Sequence, residues 1–325
     1  MKRALLATIV LAAIFAVAAP VASAEPLSPL ANSPTGATLT LSLTNAGRED
    51  AVIVGKTFGV HGIVNPFQDA QQVTVTFTQR GAVAQQTTLP IVPAASGDGT
   101  GTFDVNFTPR KAGKVTIKAV TTATAVHPSL TEDGLEVTVL GRRVSNGAKG
   151  ASVRELQRLL ARKGYVVGKR GVYDSRTARA VMAFRKVTGM RRNFIANKAV
   201  MKALAKGRGN FRVKYPKHGR HVEADISRQV LVFANGRKVL RIYPTSTGAP
   251  ATPTVRGNFR VYRKDPGTNA KGMVHSSYFI RGYAIHGYKD VPPFNASHGC
   301  LRVPVPDAQS IFNWVHQGTR VDTYL

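Results

Sequence analysis

The stretch SHGCLR, residues 297–302, contains the only cysteine in 325 residues. Cys300 lies two residues after His298 and two before Arg302, and a second histidine, His286, stands in YAIHGY, residues 283–288. A cysteine attacks through its thiolate, which is scarce at neutral pH unless a neighbour takes the proton. A histidine can take it and then hold the ion pair. His298 is the sequence neighbour, but a side chain two residues back need not face the sulfur across Gly299, which is free to turn. His286 would come from another strand, with Gly287 allowing close backbone approach. Catalytic groups assemble in space rather than in sequence, so these residue types alone leave the two histidines even. Two plainer roles stay open: a small buried thiol, or His286, His298 and Cys300 as three zinc ligands, a type set found in catalytic sites.

The compartment bears on that thiol. Residues 1–24 combine Lys2 and Arg3, an apolar run from Ala4 to about Ala19, and Ala22-Ser23-Ala24 as a small-x-small cleavage site. This is the pattern of a cleaved secretory signal, with mature protein expected from Glu25. The run is shorter than the ~20 residues a membrane span needs, and no later stretch is long and apolar enough, so no transmembrane segment is expected after cleavage. Cysteines outside the cell usually come in pairs. A solitary one is left with an intermolecular bond, inert burial or reactivity.

Formal net charge is +28, and the excess is localised. Residues 1–140 hold 9 Lys/Arg and 9 Asp/Glu, residues 141–210 hold 19 and 2, and residues 211–325 hold 17 and 6. Such a field attracts polyanions, which for a secreted bacterial-type protein means anionic wall polymers or lipid. No stacking-aromatic or groove-helix pattern accompanies the charge, so nucleic acid is not an expected partner.

The elements that must position Cys300 fall into three groups, giving a multidomain, mainly β fold. Residues 36–140 alternate with period two: Val73, Val75 and Phe77 against Thr74, Thr76 and Thr78, then Phe103, Val105 and Phe107, Val115, Ile117 and Ala119, and Leu135, Val137 and Val139. Such runs, separated by turns such as Asn65-Pro66 and Gly97-Asp98-Gly99, predict an immunoglobulin-like β-sandwich without a Cys or Trp pin. Residues 145–206 change to a helical period. Ser152 with Glu155 reads as a capping box, Val153, Leu156, Leu159 and Leu160 form a stripe, and Gly164 ends it. Asp174 and Asn197 are placed to start two more helices, which makes a small three-helix bundle. The run Gly150, Val153, Leu156-Gln157, Leu160, Gly164, Gly171-Val172-Tyr173-Asp174, Thr177, Ala180-Val181 and Phe184 resembles the peptidoglycan-binding domain. Ile195-Ala196-Asn197 departs from its usual Gly…Thr start of the third helix.

The stretch 206–220 reads as a basic, Gly-containing linker into a β-rich C-terminal domain, assigned to residues 213–325. Its first strands, within residues 221–248, read as a pair joined at Asn235-Gly236, a hairpin signal. Here IHG…SHGCLR, together with the run from Pro253 to Phe259, resembles the L,D-transpeptidase catalytic family over roughly residues 220–325. The resemblance implies Cys300 as nucleophile, His286 as general base and His298 near the thiolate and oxyanion site. It places Ser297 and Gly299 as turn-shaping motif residues, with Arg302, Gly287 and Tyr288 beside the substrate. A main-chain carbonyl must then orient His286. The implied reaction removes the terminal D-alanine of a donor stem tetrapeptide through a thioester and closes a 3→3 cross-link with a second stem. Backbone N–H groups of the Gly299–Cys300 turn are the candidate oxyanion donors. Peptidoglycan would be donor, acceptor and partner, and no cofactor or metal is implied.

Two other functions fit the same sequence. A cysteine peptidase or carboxypeptidase of stem peptides would use water as acceptor, although papain-like wall hydrolases place cysteine before histidine. A non-catalytic wall-binding protein would leave His286, His298, Cys300 and Arg302 without purpose. His275 is a further candidate for the cleft wall, whereas His61, His127, His218, His221 and His316 read as surface or packing residues.

Overall fold

The computed structural model describes residues 36–325. The signal segment expected over residues 1–24 lies outside the described residues.

Nine strands come first: β1 (Thr38–Thr44), β2 (Ala51–Ile53), β3 (Phe58–Asn65), β4 (Gln72–Gln79), β5 (Ala82–Pro90), β6 (Val92–Pro93), β7 (Gly101–Phe107), β8 (Gly113–Thr121) and β9 (Thr131–Leu140). They form two sheets, ordered β1-β3-β7-β6 and β2-β9-β8-β4-β5. The alternation in β4 does what period two requires: Val73, Val75 and Phe77 are buried, and the threonines between them are half-buried. Their shared core centres on Phe77 stacked on Phe107 at 4.7 Å, with Phe58 edge-on to both.

Three helices follow, α1 (Ala151–Arg162), α2 (Ser175–Val187) and α3 (Lys198–Ala205). Asp174 caps α2 by accepting from Thr177 N–H at 2.8 Å, and Asn197 caps α3 by accepting from Val200 N–H at 3.2 Å. The capping box at Ser152 does not form. Gly150, at φ 101°, stands at the start of α1 two residues before Ser152, and Glu155 pairs instead with Arg158 at 2.9 Å.

The C-terminal part contains β10 (Arg220–Asp225), β11 (Val230–Asn235), β12 (Lys238–Pro244), β13 (Gly257–Arg260), β14 (Arg263–Thr268), β15 (Val274–Ile280), β16 (Tyr283–Tyr288), β17 (Leu301–Pro304), α4 (Val305–Trp314) and β18 (Arg320–Tyr324). Its sheets run β12-β11-β10-β18-β13 and β14-β15-β16-β17. The Asn235-Gly236 hairpin joins β11 and β12, with Gly236 at φ 56°. The expected first strand is in fact two, because the Ser227–Gln229 turn, held by Asp225 Oδ1, splits it into β10 and β11.

These parts share a core. Ala51, Ile53 and Leu140 of the sandwich, the inner faces of α1–α3, and Val230, Val232, Ile242 and Tyr324 make one cluster. The turn after α1 joins the edge of β12, with Ile242 N–H donating to Gly164 O at 2.8 Å. Residues 206–220 are not a free linker. Tyr165 Oη donates to Gly209 O at 2.6 Å, Lys163 Nζ reaches Gly207 O and Asn210, and Phe211 and Val213 are buried. Among the described residues, no helix is long and apolar enough to cross a membrane.

Candidate active site

β16 and β17 pair in parallel, with His286 opposite Arg302 and Tyr288 opposite Pro304. Side chains on a strand alternate faces, so His286, Tyr288 and Arg302 share one face, and Cys300, two residues before Arg302, falls on it too. α4 covers the other face. A Cβ on Gly287 would meet Ala308 Cβ at 2.6 Å, so Gly287 lets the helix close on the sheet and does not enter the cleft.

The cleft has a volume of about 470 Å³ and is bounded by Lys271, Met273, Tyr283, His286, Tyr288, His298, Cys300 and Arg302. Those eight residues include two lysine or arginine cations, two histidines and no carboxylate. His286 is 3 % exposed, and its Nδ1 lies 2.9 Å from Gly287 O. A carbonyl oxygen can only accept, so Nδ1 carries the proton and Nε2 is left as a base. The carbonyl that orients His286 therefore belongs to the next residue. Burial pulls the imidazole down to about 4; the Gly287 hydrogen bond opposes this, and the Arg302 charge reinforces it. Burial also pushes the Cys300 thiol up, against the Ala284 backbone hydrogen bond and the charges of Arg302 and Lys271. The resting pair is thus neutral thiol and neutral imidazole, and the thiol's hydrogen bond goes to Gly282 O at 3.8 Å.

Ser297 is buried and shapes the turn. Its Oγ donates to Cys300 O at 2.7 Å and accepts from Gly299 N–H at 3.1 Å. The Gly299 N–H is thus engaged within the turn. Gly299 sits at φ 105°, where a Cβ would run into the Tyr283 ring, so both conformation and space require glycine there. Arg302 stacks on Tyr288, 4.2 Å from the ring centroid, and Tyr288 stands edge-on to His286. His298 is exposed at the cleft mouth.

His275 is not in the cleft. It accepts from Gly267 N–H and packs on Phe312. His61 and His316 lie towards the surface, and His127, His218 and His221 pack inside or at its edge. Lys271, Met273 and Tyr283 are cleft residues that sequence reasoning missed. The Asn269–Gly272 turn is legible as a turn, but nothing local says that it folds over Cys300. Among the described residues, no group of three or more His, Cys, Asp or Glu is arranged to hold a metal ion.

Residues 219–322 match the family model described as the L,D-transpeptidase catalytic domain, and residues 149–204 match that of a peptidoglycan binding domain. A crystal structure of an L,D-transpeptidase from Xylanimonas cellulosilytica is 32% identical, covering 56% of this chain and 98% of that one, with a TM-score of 0.51. The catalytic domain of an Enterococcus faecium L,D-transpeptidase is 25% identical over 33% of this chain and 98% of that one, with a TM-score of 0.29. An L,D-transpeptidase from Mycobacterium smegmatis is 13% identical over 90% of this chain and 100% of that one, with a TM-score of 0.30. No curated protein sequence matches significantly. The chain belongs to the L,D-transpeptidase family. It is a transferase acting on peptidoglycan, with a peptidoglycan-binding domain beside its catalytic domain.

Proposed function

We propose that Cys300 is the nucleophile and His286 the general base of a 3→3 transpeptidation. Sγ attacks the carbonyl between the third, diamino residue and the terminal D-alanine of a donor tetrapeptide, and the thiol proton passes to His286 Nε2. The tetrahedral intermediate collapses, its amine leaves with that proton as D-alanine, and a thioester remains on Cys300. The side-chain amine of a second stem then attacks, giving its proton to Nε2. The amide forms, and the sulfur departs and is reprotonated by the imidazolium. Removing the proton during attack suits two groups whose burial keeps both neutral at rest. With Gly299 N–H engaged, the Cys300 N–H is the candidate oxyanion donor, and one such donor is worth about 3–4 kcal/mol elsewhere.

The observation that carries this reading is His286: buried, held through Nδ1 by Gly287 O, and level with the Cys300 strand in one cleft. Lys271 and Arg302, with no carboxylate among the residues bounding the cleft, suit a stem peptide bearing carboxylates. Tyr288, His298 and Arg302 would contact the donor, and the basic C-terminal 185 residues would attract anionic wall polymers. The domain bounds 36–140, 145–206 and 213–325, cleavage after residue 24, and a secreted, wall-associated location belong to the same proposal. The binding helices would raise the local concentration of a polymeric substrate.

The test incubates residues 25–325 with a disaccharide-tetrapeptide and follows products by mass spectrometry. Dimer with one D-alanine released per cross-link, absent in Cys300→Ala, supports the reading. Tripeptide without dimer makes water the acceptor and the protein a carboxypeptidase. No product in either sample leaves wall binding as the function.

A further inference from the structure

Lys186 lies on α2, outside the catalytic domain, and is 4 % exposed. Among the described residues, no carboxylate pairs with it. Its Nζ donates to two carbonyls of the catalytic domain, Gln229 O at 3.0 Å and Thr245 O at 2.9 Å. Burial, with Arg192 nearby, lowers it to about 7. The docking of α2 does not need this cation, since Arg176 and Arg179 pair with Asp307 at 2.8 and 3.1 Å and the apolar core runs through the contact. A neutral side chain of similar length would fill the space without desolvating a charge.

The two carbonyls lead to the Cys300 turn by separate routes. Gln229 sits at φ 61°, and its carbonyl also receives Thr245 N–H at 3.0 Å. Its side chain grips Thr247, with Oε1 accepting Thr247 N–H at 2.9 Å and Nε2 donating to Thr247 Oγ1 at 2.5 Å. Thr247 O receives the N–H groups of Ala296 and Ser297, both at 2.9 Å, and Ser297 Oγ holds Cys300 O. On the other route, Thr245 Oγ1 donates to Arg302 O at 2.7 Å. Gln229, Thr245, Thr247 and Ser297 are all buried, so little solvent slack separates the first link from the last.

We infer that Lys186 is a positioning residue for the Cys300 turn, which makes the peptidoglycan-binding helices part of the catalytic machinery as well as its anchor. The inference rests on the transpeptidase reading for its turnover assay but not for its thiol assay. Catalytic groups displaced by a fraction of an ångström lose rate more than affinity, so the effect belongs in kcat.

The experiment compares residues 25–325 as wild type, Lys186→Met, Thr247→Val and the double variant. Three quantities are read: kcat and KM for D-alanine release, the rate of Cys300 alkylation by iodoacetamide, and retention on insoluble peptidoglycan. The inference expects Lys186→Met to lower kcat at least tenfold with KM within twofold. Alkylation should change at least threefold, retention should be unchanged, and the double variant should be no worse than the worse single one. Should Lys186→Met fail to fold, Lys186→Gln, which keeps an amide donor, is expected to lose kcat about threefold or more. Unchanged kcat and alkylation in a folded Lys186 variant would overturn the inference, as would losses that multiply in the double variant. A wild type that alkylates normally but releases no D-alanine would sink the transpeptidase reading instead, and the alkylation rates would then decide the role of Lys186 by themselves.

Discussion

His221 on β10 and His286 on β16 are both inside the C-terminal sheets, yet their surroundings push them in opposite directions. His221 lies 3.2 Å from Glu223, which also accepts from Lys214 N–H, Tyr215 N–H and Tyr324 Oη. Burial works against a charged His221, but the Glu223 hydrogen bond, the Gly219 carbonyl and the charges of Glu223 and Asp322 leave it raised overall. Burial likewise works against a charged Glu223, yet His221 and the donated N–H groups leave it lowered. His286 is buried too, but its hydrogen-bond partner is a carbonyl rather than a carboxylate, with Arg302 opposite, and it falls to about 4. One enclosure gives its histidine a carboxylate partner, and the other keeps an imidazole neutral. The difference lies in the neighbours rather than in the histidine.

The two histidines titrate with opposite signs. Above pH 6.5 His286 is neutral in both folded and unfolded chains. Below that the unfolded chain takes a proton that the folded one refuses, so the stability tied to His286 is lost as pH falls towards about 4. The contribution of His221 is complete below 6.5 and is lost as pH rises through its raised value. That of Glu223 is complete above 4.5 and is lost as pH falls through its lowered value.

The sharpest break in the comparison is His286→Ala, expected to lower D-alanine release about 10²–10⁴-fold, as loss of a general base does, with little change in melting temperature. Glu223→Ala should do the reverse. It removes the buried carboxylate that serves His221, Lys214 N–H, Tyr215 N–H and Tyr324 Oη and is expected to cost about 3–5 kcal/mol of unfolding free energy, read by denaturant melts, while the alkylation rate of Cys300 stays within twofold. The smallest effect belongs to His298→Ala, expected to change kcat less than tenfold because its side chain is exposed at the cleft mouth. A loss as large as that of His286→Ala would exchange the two roles.

Local chemistry was readable where a residue acts on its own neighbours. Asp174 and Asn197 cap the helices they precede, Asn235-Gly236 turns the hairpin, and β4 alternates as written. Ser152 looked equally like a cap, but the turn at Gly150 starts the helix first. The stretch 206–220 has a linker's composition and becomes packed because Lys163 and Tyr165, more than forty residues earlier, reach across to it. The choice between His286 and His298 was out of reach of residue types, since it depends on a parallel register between β16 and β17 and on what α4 covers. Lys186 carried no signal at all: in a sequence it is one basic residue in a basic helix.

The central claim is that a buried, neutral His286 serves Cys300, and the most direct measurement is the pH dependence of kcat/KM for D-alanine release between pH 3.5 and 8. Full activity is expected down to about pH 5, with an acid limb near 4 and that profile unchanged in His298→Ala. An acid limb that disappears in His298→Ala would contradict it and make the exposed histidine the base.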